Sequence, residues 1–210
     1  MSVVTWYFDF ISPFAYFGLH TLKQLPAETD VEYRPVLFAG LLQHWGQKGP
    51  AEIPPKRVWT YRSCVWWAQR HGVPFRLPAA HPFNPLPYLR LSGTAGNSRQ
   101  AIELIFRGVW TTGADPNDPR LIESLAGSLG VPLDRLAEPS VKEAIRANTE
   151  AAVGKGVFGV PSLLIDDEVF WGSDSVDFAA AYLEDRTVLA TEEMRRAATL
   201  RVGTRRPGAT

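Results

Sequence analysis

The stretch FDFISPFAYFG, residues 8–18, decides the fold. It continues a run, Val3 to Phe8 (VVTWYF), whose β-branched and aromatic residues are those of a buried strand. From Pro13 to about Leu25, Phe14, Phe17, Gly18, Leu22 and Leu25 then recur at helical spacing. Ser12 and Pro13 stand at the junction, a capping hydroxyl followed by a proline at the first helical position. A second strand is expected over Val31–Leu37, with Pro35 suiting an edge or a strand end. The chain therefore opens β-α-β.

It closes differently. GVPSLLIDDEVFWGSD, residues 159–174, reads as a strand (Ser162–Ile165), a turn at Asp166-Asp167 and a strand (Glu168–Trp171), with a helix following from about Ser175 to Glu184. Between the β-α-β start and this β-β-α finish the pattern is helical. Val58–His71 is a helix closed by Gly72 and Pro74, and Ser98–Thr111 is another. A third opens at Asp118-Pro119 and stops at Gly130. Ser140-Val141-Lys142-Glu143 has the pattern of a capping box, opening a fourth that runs to about Val153. Gly46–Pro55 and Pro74–Pro87 are proline-rich loops.

Composition bounds the function classes. Of 210 residues, 45% are hydrophobic and 21% charged, a globular balance. Lysine plus arginine equals aspartate plus glutamate at 22 each, so no global charge points to nucleic acid or a membrane surface. No apolar run approaches the roughly 20 residues of a membrane span, and no export pattern opens the chain. The single cysteine, Cys64, forms no internal disulfide and suits a reducing cytoplasm. With four scattered histidines, no metal site is expected.

The order of elements resembles the α/β thioredoxin-like fold (β-α-β … β-β-α) with an all-helical insertion. The units expected are 1–38 with 157–185 as the thioredoxin-like part, 39–156 as the inserted helical part, and 186–210 as a C-terminal extension whose last residues are disordered. In that fold the first helix opens with Cys-x-x-Cys, whereas here the place reads Ser12-Pro13-Phe14-Ala15. YFDFISPFAYFG, HGVPFRLPAAHPFNP, GVFGVPSLLI and VFWGSDSVDF together resemble the 2-hydroxychromene-2-carboxylate isomerase family over about Val3 to Glu184. Kappa-class glutathione transferases and, more distantly, periplasmic disulfide oxidases are related to it.

The resemblance implies glutathione as cofactor, with Ser12 catalytic as the hydrogen-bond donor to its thiolate. A thiol of pKa near 8.5 must be lowered by about 2 units, roughly 2.7 kcal/mol. A hydroxyl hydrogen bond to an anion gives about 1.5–3 kcal/mol and a helix N-terminus roughly 0.3–1 more, which suffices. The residues alone leave the alternative that Ser12 merely caps its helix. No histidine stands in a motif with Ser12, which argues against a serine hydrolase.

The resemblance also implies a cis Val160-Pro161 peptide, the Val160 backbone holding the cysteinyl unit in a β-like way. Ser173, where many relatives carry an amide side chain, and Asp174 suit the carboxylate and ammonium of the γ-glutamyl group. Lys56 matches a basic position directed towards the glycyl carboxylate or the substrate. Phe14, Arg62 and Asn84 are candidates for the substrate pocket.

Asp9 is expected either to be satisfied by turn amides or to tune the proton balance under Ser12, and Tyr16 to pack in the core. Trp59, Trp66, Trp67 and Trp110 are expected mostly in the core, and Cys64 as a small buried apolar residue. His44, His71 and His81 have no partner at recognisable spacing. Ser63 and Trp66 stand where relatives often show Asp and Arg, which bears on the usual aromatic carboxylate substrate.

The reaction implied is isomerisation of an aromatic ring-opened α-keto acid by reversible thiolate addition, in a cytoplasmic protein, with a homodimer carried over from relatives. The alternatives are a kappa-like transferase conjugating electrophiles and a non-catalytic glutathione-binding module. A disulfide oxidoreductase is excluded because no thiol occupies the motif.

Overall fold

The structure, a computed structural model, describes residues 3–204. The disorder expected at the extreme C-terminus falls on residues 205–210, outside the described residues.

β1 (Val3–Phe8) leads through a short turn into α1 (Pro13–Thr21), and a 3₁₀ turn (Leu22–Gln24) completes the apolar spacing that runs to Leu25. β2 (Asp30–Pro35) follows; far along the chain come β3 (Ser162–Ile165) and β4 (Glu168–Trp171). The sheet order is β2-β1-β3-β4. β1 pairs parallel with β2, Val4 opposite Val31, and antiparallel with β3, Trp6 opposite Leu163. This is a mixed α/β sheet of the thioredoxin-like kind.

β1 lies inside the sheet and its second half is covered on both faces, which is why Trp6, Tyr7 and Phe8 follow one another without a polar residue between them. Val4, Trp6 and Phe8 join α1 in the larger core, while Tyr7 points into a smaller one with Val36, Leu41, Ala152 and Val160. Aromatic rings fill the larger core: Trp6 stacks on Phe8 with centroids 4.6 Å apart, and Phe10 meets Phe106 at the same distance.

Between β2 and β3 come α2 (Phe38–His44), α3 (Pro54–His71), α4 (Leu86–Thr94), α5 (Arg99–Thr111), α6 (Pro119–Leu129) and α7 (Pro139–Gly154); α8 (Val176–Glu184) and α9 (Glu192–Ala198) follow β4. Several boundaries match the local signals. Asp118 and Ser98 cap α6 and α5, and Gly72 and Gly130 close α3 and α6 with φ of 64° and 65°.

Others do not. β2 stops at Pro35 rather than Leu37, because the Leu37 amide donates to Thr149 Oγ1 at 3.0 Å as the chain turns into α2. α2 opens without a side-chain cap, and Leu86-Pro87 opens α4 with proline in the first turn, where a missing N–H costs nothing, so neither helix has a start signal in the sequence. α3 begins four residues early at Pro54-Pro55 for the same reason. The capping box at Ser140–Glu143 does not form: Glu138 is the N-cap, α7 begins at Pro139, and Glu143 instead pairs with Arg146 at 2.5 Å.

The tryptophans divide. Trp110 is fully buried, with its indole donating to the Phe10 carbonyl at 2.9 Å, and Trp67 packs on Phe17 at 4.4 Å between centroids. Trp59 and Trp66 are 69% and 63% exposed, against expectation. The inward stripe of α3 is Thr60, Cys64 and Ala68, and residues 59 and 66 fall on the opposite flank.

Candidate functional site

Ser12 ends the turn from β1 and caps α1. Its Oγ accepts from the Ala15 amide at 3.2 Å, and its own amide donates to the Asp9 carbonyl at 3.1 Å. With a lone pair committed to the helix, the hydroxyl proton points outward, to the Val160 carbonyl at 3.4 Å. That is long for an O–H···O bond, whose usual length is about 2.7–2.8 Å, so little is lost if the proton turns to another acceptor. Ser12 is 6% exposed, and the adjacent N-terminus of α1 favours negative charge.

The Val160-Pro161 peptide is cis. Pro161 presses on α1 at Gly18, where an added Cβ would lie 3.0 Å from the proline Cγ, so glycine at position 18 lets the proline approach. The Val160 amide makes no hydrogen bond among the described residues, which leaves a donor on the same backbone edge as the carbonyl facing Ser12. The Pro161 carbonyl accepts from the Gly172 amide at 2.9 Å, and Thr21 Oγ1, on the last residue of α1, donates to the Ser173 carbonyl at 3.2 Å. These two bonds fasten the turn before α8 to the cis-proline edge and to the C-terminal end of α1. Ser173 is half-buried and Asp174 exposed there. Ser175, the N-cap of α8, donates its hydroxyl to the Gly172 carbonyl and not to its helix, so the first amides of α8 have no side-chain cap.

The fold thus brings Ser12 against Val160 and Pro161, with half-buried Phe14 in the first turn of α1, while Ser173 and Asp174 stand in the turn that Gly172 ties to the Pro161 carbonyl. Lys56 and Arg62 are exposed on α3 without a hydrogen bond to these residues. Asn84 accepts from the Leu86 amide at 3.1 Å through its Oδ1, at the opening of α4. Ser63 turns its hydroxyl back onto the Thr60 carbonyl at 2.9 Å.

Asp9 is completely buried, with Oδ1 accepting from the Ile11 amide at 3.2 Å and Oδ2 from the Phe38 amide at 2.8 Å. It is therefore satisfied by turn amides, and it ties the Ser12 turn to the start of α2. Burial nevertheless pushes its carboxyl up to about 7, the amide bonds opposing. Tyr16 packs inward and donates to the Pro74 carbonyl at 2.5 Å, with burial pushing its hydroxyl up to about 12. Cys64 is a buried apolar residue whose thiol burial likewise pushes up to about 12.

His81 has partners that spacing did not reveal. Its Nε2 donates to the Ile11 carbonyl at 2.8 Å, one residue before Ser12, and the Tyr61 hydroxyl lies 2.7 Å from its Nδ1. Burial lowers its pKa. A neutral ring with the proton on Nε2 satisfies both bonds. The proline-flanked stretch HPFNP was the available signal, and only the fold brings it against the Ser12 turn.

A model of the DSBA-like thioredoxin domain matches residues 3–184. The 2-hydroxychromene-2-carboxylate isomerase of Sphingobium xenophagum is 31% identical over 193 residues, covering 88% of this chain and 99% of its own. Glutathione S-transferase kappa 2 of Caenorhabditis elegans is 29% identical over 208 residues, covering 88% of this chain and 92% of its own. A solved 2-hydroxychromene-2-carboxylate isomerase, 23% identical, superposes with a TM-score of 0.75 over 95% of this chain and 100% of that chain, a similarity of fold.

Proposed function

The chain belongs to the DSBA-like thioredoxin family, in its 2-hydroxychromene-2-carboxylate isomerase branch, and on that premise we propose that it is a glutathione-dependent isomerase of an aromatic ring-opened α-keto acid. The observation that carries the reading is the Ser12 hydroxyl, anchored to Ala15 through its oxygen and holding its proton loosely towards Val160.

The residues at the mouth and in the turn before α8 suit glutathione. The Val160 amide supplies a donor and its carbonyl an acceptor for a β-like pairing with the cysteinyl unit. The uncapped amides of α8 and Ser173 suit the γ-glutamyl carboxylate, and Asp174 suits its ammonium. Lys56, exposed on the first turn of α3, is assigned to the glycyl carboxylate, and Phe14, Arg62 and Asn84 to the substrate pocket.

Bound glutathione supplies a thiolate that adds reversibly to the conjugated carbon of the substrate and is returned unchanged. Ser12 contributes a directed hydrogen bond and α1 its N-terminal field, both formed before the reaction. The motif position holds no thiol and the one cysteine, Cys64, is buried, so the mouth supplies no second sulfur for disulfide exchange.

The kappa-class relative favours a second reading, irreversible conjugation of an electrophile. Turnover of 2-hydroxychromene-2-carboxylate with glutathione measured throughout decides between them. Product formed with glutathione undiminished supports the isomerase. Equimolar loss of glutathione supports the transferase, and binding without turnover leaves a binding module.

A further inference from the structure

Away from the Ser12 mouth, a cleft of about 480 Å³ opens between α2, α4 and α7, and neither Ser12, Val160 nor Ser173 lines it. Leu37, Leu86, Ile145 and Val153 make its walls largely apolar. Most of its polar groups are already engaged. Thr149 Oγ1 donates to the Ile145 carbonyl at 2.8 Å and accepts from the Leu37 amide. Glu150 is held by Arg146 at 2.6 Å, and Arg146 also holds Glu143.

Arg90, Lys142 and His44 are left, and neither Arg90 nor Lys142 has a carboxylate partner among the described residues. Arg90 Nε is buried without any hydrogen bond, the one buried side-chain nitrogen or oxygen so placed among the described residues. A buried donor without an acceptor is costly, and native proteins keep few of them. Nε itself has no accessible surface, so a ligand in the cleft meets the guanidinium through its two Nη groups, which can donate two parallel bonds to a carboxylate.

We propose that this cleft is a second ligand site, for an amphiphilic monocarboxylate. The carboxylate is received by Arg90 with Lys142 beside it, and the apolar body lies against Leu37, Leu86, Ile145 and Val153. The apolar walls exceed what a free inorganic anion would use, which favours a carboxylate on a hydrocarbon body. The site stands whether or not Ser12 serves a thiolate, because the two share no residue.

Calorimetric titration of the full chain with 2-naphthoate tests it. Saturable binding is expected, weakened at least about tenfold in Arg90→Met, as for loss of a charge-assisted bond. Saturating glutathione and Ser12→Ala should leave it unchanged. Arg90→Met removes an unpartnered buried donor, so its Tm should equal or exceed that of the native protein. Lys142→Glu, exposed on α7, gives a second variant that keeps the fold and should also weaken binding.

The proposal is overturned if 2-naphthoate does not bind, or if 2-naphthalenemethanol binds as tightly. It is equally overturned if inorganic phosphate alone competes at the same concentration, or if Arg90→Met loses Tm together with binding. Displacement by glutathione would move the ligand to the Ser12 mouth, overturning the second site while leaving the thiolate reading intact.

Discussion

Replacing Asp9 by asparagine turns the pH dependence of stability into a direct reading of the charge buried under Ser12. The carboxyl is fully buried, and burial raises its pKa from 3.8 to about 7. Between those values the folded protein keeps a proton that the unfolded chain releases, so stability falls as pH rises through the window. Below about pH 4 both states are protonated and the carboxyl contributes nothing; above about pH 7 both are ionised and the penalty is complete. At about 1.4 kcal/mol per pH unit the penalty is roughly 4 kcal/mol. Asparagine removes this dependence at a fixed cost, since its NH₂ meets either the Ile11 or the Phe38 amide and leaves one donor unsatisfied, about 1–3 kcal/mol. Urea unfolding of both proteins from about pH 4 to about pH 8 should show the variant less stable at the acid end and gaining roughly 4 kcal/mol on the native protein by the alkaline end. A difference that stays constant across the window would refute the reasoning, because ionised Asp9 would then carry no burial penalty.

The same turn is held from the other side by His81. His81→Phe removes the bond to the Ile11 carbonyl and the partner of Tyr61, and should cost about 2–3 kcal/mol in thermal unfolding, with His81→Gln recovering part of it. Gly18→Ala should behave unlike most helical glycine substitutions. The gain of about 1 kcal/mol from helix propensity is outweighed by about 1–3 kcal/mol of overpacking against Pro161. A net loss near 1 kcal/mol by urea unfolding is expected, with weaker glutathione binding; a gain of that size would contradict the close packing of α1 on Pro161.

The legible parts of the fold were those where one local signal had no competitor. Ser162–Ile165 and Glu168–Trp171 were readable because two short apolar runs flank an Asp-Asp turn, and Asp166 takes the positive φ of 57° such a turn needs. Ser12 announced a helix start through the proline after it. α4 was hidden because Pro85 and Pro87 look like breakers yet lie where a helix tolerates them. The exposed Trp59 and Trp66 were misjudged because aromatic character outweighed phase: the small residues Thr60, Cys64 and Ala68 mark the inward face. In the site, Ser12, Val160 and Ser173 came from resemblance to a family pattern, and no spacing joins residues 148 apart. His81 and the Asp9–Phe38 bond could not be seen in sequence at all, since each exists only when the loop before α4, or the start of α2, folds against the turn after β1.

The thiolate role of Ser12 is tested most directly by ultraviolet difference absorbance of glutathione titrated into native protein and Ser12→Ala across pH. The native protein should give a saturable thiolate band at neutral pH. Loss of a hydroxyl bond to the anion, about 1.5–3 kcal/mol, should move that band up by roughly 1–2 pH units in the variant. A band at the same pH in both proteins, or in neither, would contradict the role and leave Ser12 as the cap of α1.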